Sequence, residues 1–95
     1  MTRVTITEGD TMMVSCRGHA TSDPTVCAAI SALIISFENY CRKHEDVIKM
    51  HDAQIESGDC YVRCCGDDKT RAVFECITDG LRALVKAYPM EAELA

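Results

Sequence analysis

The sequence predicts an α+β chain of order ββαββα, with a four-stranded, mainly antiparallel sheet and two helices on one face. Three observations predict it. Four short segments alternate apolar and polar residues with the period of a strand, and two longer segments carry apolar residues at the period of a helix. They occur as strand, strand, helix, and then the same again. Each strand has one apolar face and each helix one apolar stripe, and two layers bury both.

Residues 4–7 alternate Val4, Thr5, Ile6, Thr7, and Gly9-Asp10 then supply turn chemistry. In residues 12–17, Met12, Val14 and Cys16 share one face. The short connection predicts a hairpin. Gly18 ends the second strand, and His19 follows at once.

Ser22-Asp23-Pro24 is a helix start, a capping oxygen followed by a proline suited to the first turn. Val26, Ile30, Leu33, Phe37 and Tyr40 recur at helical spacing, and Ala29, Ile34 and Cys41 widen the stripe. The charged run from Arg42 to Asp46 ends this helix.

Residues 53–56 read as a third strand, Ser57-Gly58-Asp59 as a turn, and residues 60–65 as a fourth strand. Cys60, Val62 and Cys64 fall on one face of it, a core pattern. Gly66-Asp67-Asp68 gives a turn and a cap. Val73, Phe74, Ile77, Leu81, Leu84, Val85 and Tyr88 make the second stripe, which Pro89 stops. The remaining sheet face carries Thr5, Thr7, Ser15, Arg17, Tyr61 and Arg63, open to solvent or to a second copy.

At 95 residues and 47% apolar content, the chain reads as one domain, residues 1–95. A core of that size is marginal alone, and association with a second copy adds to it. The net charge of −5, without a basic stripe, argues against a nucleic-acid partner. The N-terminus lacks the apolar stretch of a signal peptide. The longest apolar run, residues 27–37, is too short to span a bilayer and holds Ser31 and Ser36. A soluble, cytoplasmic protein with no membrane partner is expected.

Seven cysteines is a high, odd number for this length. Without a secretory signal they are expected to be reduced. Cys60, Cys64 and Cys65 cluster, but a zinc site needs further ligands at workable spacing, and only His51 is near in sequence. The expectation is core packing, with no metal and no cofactor. His44 and His51 are read as surface residues.

Chemistry concentrates between Cys16 and Ala32. A histidine, His19, leaves a strand end, a short polar loop follows, and Cys27 lies in the first turn or so of a helix. The thiolate is the reactive form of cysteine, and a helix N-terminus favours it. A nearby imidazole can take the thiol proton. Backbone N–H groups of Cys27 and Ala28 can hold the oxyanion of a tetrahedral intermediate. Ser31, one turn on, either orients the site or bonds back to the helix backbone. Asp23 can reach His19 across the loop or simply cap the helix.

The run Gly18-His19-Ala20, a loop, and then Val26-Cys27-Ala28-Ala29-Ile30-Ser31-Ala32-Leu33 resembles the ribosomal-processing cysteine protease (Prp) family. The likeness extends over nearly the whole chain. It implies a homodimeric α+β fold and a bacterial endopeptidase, acting in ribosome biogenesis, that removes an N-terminal extension from a large-subunit ribosomal protein. It implies Cys27 as nucleophile and His19 as base, with Gly18 and Ser31 on motif positions. Phage relatives process capsid or scaffold proteins. The sequence departs from the family pattern between His19 and Cys27, where the loop is shorter and lacks a glycine, and where Pro24 replaces a favoured aspartate. That departure is what a catalytically silent, dimeric binding module on the same fold would show. A thiol redox or metal protein using Cys60, Cys64 and Cys65 is the third reading.

Overall fold

The computed structural model describes residues 1–18 and 24–95. Its elements are β1 (Thr2–Thr7), β2 (Met12–Arg17), α1 (Pro24–Lys43), β3 (Met50–Glu56), β4 (Asp59–Cys65), α2 (Asp68–Ala87) and β5 (Ala92–Leu94). The sheet has five strands in the order β3-β4-β2-β1-β5. Four pair antiparallel, as expected. β5 is the correction: it lies parallel to β1, so the sheet is mixed. Three residues are too few for alternation to register, and the strand is set by its surroundings. The Tyr88 carbonyl accepts the N–H groups of Glu91 and Ala92 and turns the chain back, and Ala95 then donates to the Val4 carbonyl at 2.8 Å.

Register sorts the sheet faces. Cys16 stands opposite both Val4 and Cys60, and Val14 opposite both Ile6 and Val62. This face lies under the helices. Val4, Val14, Val62 and Cys64 are fully buried there with Ile30, Ile34, Phe37 and Cys41 of α1. Each such aliphatic or aromatic side chain contributes about 1.5–3 kcal/mol by leaving water. Phe37 and Phe74 join the two helices, with ring centroids 5.4 Å apart and planes tilted by 58°.

The buried line of α1 is Val26, Ile30, Ile34, Phe37 and Cys41. Leu33 sits beside it and packs toward α2, where a β-carbon on Gly80 would stand 3.1 Å from Leu33 Cδ1. Gly80 thus permits the close approach of the helices. α1 has 20 residues, so by length and composition it is long and apolar enough to cross a bilayer, contrary to expectation. In this fold its apolar stripe packs on the sheet and α2.

Asp67 caps α2, its Oδ1 accepting from the N–H and Oγ1 of Thr70 at 2.9 and 2.8 Å. These bonds hold its carboxyl below the usual aspartate range. Pro89 follows the C-cap Tyr88, which is exposed rather than part of the buried stripe.

His51 corrects the sequence reading. It lies in the part of β3 that precedes residues 53–56, the stretch the alternation marks, and faces the helices. Its Nε2 lies 2.8 Å from Oε2 of Glu38, a carboxylate whose side chain is only 5% exposed. Arg42 holds the other oxygen of Glu38. His44 is half-buried and stacks on Tyr40, with centroids 4.1 Å apart.

Candidate active site

The site is built where β2 ends and α1 begins. Gly18 closes β2 with φ +87°, a conformation that side-chain-bearing residues rarely adopt. A β-carbon there would stand 2.6 Å from the carbonyl oxygen of Met1. Its N–H donates to the Gly58 carbonyl at 2.9 Å, tying the end of β2 to the β3–β4 turn. Gly18 therefore fixes the backbone at the exit of β2. His19 and Asp23, both singled out by the sequence, lie outside the described residues.

Cys27 is the fourth residue of α1, since the helix begins at Pro24. That puts the thiol at the end of the first turn, within the reach of the helix-terminal partial charge. The ordinary helical register directs the Ala28 N–H at the Pro24 carbonyl, a competing acceptor for any oxyanion. The Cys27 side chain is half-buried and packs against the core. Ser31 is half-buried one turn on. The back-bonding habit considered for Ser31 is made by Ser36, whose Oγ donates to the Ala32 carbonyl at 2.7 Å.

The core against which Cys27 packs holds a thiol pair that motif reasoning passed over. Cys16 and Cys60 oppose each other across β2 and β4, both nearly fully buried. Burial first, then the neighbouring Cys60 and Cys27, push the Cys16 thiol up to about 12. Cys16 thus stays a protonated wall of the site. The period-two alternation that put Cys16 beside Val14 was the available signal.

Among the described residues no group of three or more His, Cys, Asp or Glu side chains is arranged to hold a metal. Cys60 and Cys64 are core residues, while Cys65 faces the other side, its Sγ 3.4 Å from Thr11 Oγ1. A shallow depression of about 430 Å³ does occur, lined by Thr5, Ser15, Arg17, Asp52, Tyr61 and Arg63 among others. It lies on the open sheet face and includes neither Cys27 nor Ser31.

The profile of the cysteine protease Prp family matches residues 1–93. The chain belongs to the cysteine protease Prp family. Solved structures agree on the fold. A Staphylococcus aureus ribosomal processing protease Prp, in complex with a covalently linked product peptide, superposes with a TM-score of 0.80 at 21% identity, covering 99% of this chain and 97% of that one. The same kind of protease with a substrate peptide gives 0.75 at 18% identity, covering 100% of this chain and 98% of that one. SMU.848 from Streptococcus mutans gives 0.73 at 22% identity, covering 99% of this chain and 91% of that one. No curated protein matches the sequence.

Proposed function

We propose that the protein is a cysteine endopeptidase in which Cys27 is the nucleophile and His19 the base, acting on the N-terminal extension of a bacterial large-subunit ribosomal protein in the cytoplasm. The observation that carries this reading is the placement of a half-buried Cys27 thiol at the end of the first turn of α1, in a Prp-family chain whose β2 exit is fixed by Gly18.

The chemistry follows from that placement. His19 takes the thiol proton, and the thiolate attacks the scissile carbonyl. The helix N-terminus stabilises both the thiolate and the oxyanion. Because Ala28 is also directed at the Pro24 carbonyl, its N–H is the lesser oxyanion donor and the Cys27 end of the turn the greater. Ser31 supports the orientation of the thiol. The leaving amine takes its proton from His19, and water then cleaves the thioester.

A peptide substrate with a shallow site gains specificity from extended contact, and β3 is an edge strand to which such a peptide can add. A homodimer is part of this proposal. The open sheet face alternates Arg17 and Arg63 with Asp52 and Asp59, a pattern that can complement itself about a two-fold axis.

The test is cleavage of an extension-bearing ribosomal protein, read by N-terminal sequencing of the product. Cys27→Ala is expected to abolish cleavage, and His19→Ala to lower it by about 10²–10⁴-fold. Wild-type protein that cleaves neither this substrate nor phage capsid or scaffold precursors, yet binds them, is the silent module that the short loop before Cys27 favours.

A further inference from the structure

Two thiols that the proposed mechanism does not use lie side by side in the core. The Sγ of Cys41, near the end of α1, is 3.7 Å from the Sγ of Cys64 in β4, and the Cys41 thiol donates to it. Both side chains have no exposure to solvent. A disulfide requires the sulfurs to close from this hydrogen-bond separation to about 2.05 Å. We propose that Cys41 and Cys64 form a redox-active dithiol, which a peroxide oxidises to a disulfide stapling α1 to β4.

The surroundings fit a pair that is held reduced until challenged. Glu38 precedes Cys41 by three residues on the same helix, and His51 stands directly opposite Cys64 on β3. Arg42 and His51 keep the Glu38 carboxylate ionised. Its charge opposes a thiolate at either cysteine. Of the two, Cys64 loses its proton first, because its sulfur accepts the Cys41 hydrogen bond. A neutral disulfide meets no such repulsion, so Glu38 slows the oxidation without disfavouring its product.

The oxidation balances with peroxide as the two-electron oxidant. The Cys64 sulfur attacks one peroxide oxygen, the O–O bond breaks, and the departing hydroxide takes the thiol proton as water. The resulting sulfenic acid is attacked by the Cys41 sulfur. The S–S bond forms, the S–O bond breaks, and a second water leaves with the Cys41 proton. Two thiols and one peroxide give one disulfide and two waters. Both sulfurs are buried, so peroxide reaches them through local opening around β3, an edge strand.

The experiment treats the full chain with hydrogen peroxide, blocks remaining thiols with iodoacetamide after unfolding, and maps disulfides by peptide mass spectrometry. The expected result is a Cys41–Cys64 linked peptide, and a melting temperature raised by roughly 5–15 °C that returns to its starting value on reduction. Glu38→Gln is expected to form the same link several-fold faster. Cys41→Ser and Cys64→Ser, each compared with and without peroxide, are expected to show no such rise. Recovery of both cysteines as alkylated thiols, pairing of either with Cys16, Cys27 or Cys60 instead, or an unchanged or lowered melting temperature overturns the proposal.

Discussion

The Glu38 carboxylate of α1 and the His51 imidazole of β3 meet at 2.8 Å in the interface between helix and sheet. Burial works against the charged form of Glu38, but hydrogen bonds from Arg42 and His51 outweigh it and hold the carboxyl below its ordinary range. A carboxyl with a lower pKa folded than unfolded stabilises the fold above the unfolded value, ~4.3 for glutamate, and loses that contribution as pH falls through the folded value. Glu38→Gln is therefore expected to lower stability by about 1–2 kcal/mol at neutral pH. The gap from wild type should narrow below about pH 4, as urea titrations at several pH values will read. A constant gap across pH assigns the loss to packing instead.

Gly18 is required by its surroundings and not only by its φ of +87°. Gly18→Ala puts a β-carbon against the Met1 carbonyl, which is backbone and cannot rotate away. A loss of about 1–3 kcal/mol is expected in chemical denaturation. Because Gly18 fixes the exit of β2 immediately before His19 in sequence, proteolysis is expected to fall by more than stability alone explains at temperatures where the variant is fully folded.

Gly80 offers a contrast. A β-carbon there meets the tip of Leu33, a side chain with freedom to move. Gly80→Ala gains helix propensity, up to about 1 kcal/mol, against a small displacement of Leu33. A net change within about 1 kcal/mol of wild type is expected. Gly80→Val, which demands more room, is expected to be clearly destabilising in thermal melts.

The N-cap of α2 is a local test. Asp67→Ala removes the acceptor for both the N–H and the hydroxyl of Thr70. A melting temperature lower by a few degrees is expected, and Asp67→Asn or Asp67→Ser should recover most of it.

Much of this fold was legible because its rules are local. Alternation placed β2 to the residue, and Pro24 and Asp67 marked both helix starts. The apolar stripes identified the helix faces. β5 was not legible, since three residues carry no period, and its pairing depends on the turn after Tyr88 and on β1 lying nearby. Nor was the pairing of half-buried His51 with buried Glu38, because a polar pair between helix and sheet is recognised only when two distant elements meet. At the candidate site, the glycine turn and the helix-borne cysteine were readable from the motif. The thiol pair of Cys16 and Cys60 was readable only as core, since the nearness of Cys16 to Cys27 is a tertiary fact.

The most direct measurement is the alkylation rate of Cys27 against pH, read by mass spectrometry, in wild type and in His19→Ala. A Cys27–His19 pair predicts fast reaction well below neutral pH in the wild type, and a shift toward ordinary thiol behaviour near pH ~8.5 in the variant. The same plain profile near pH ~8.5 in both proteins would contradict the dyad.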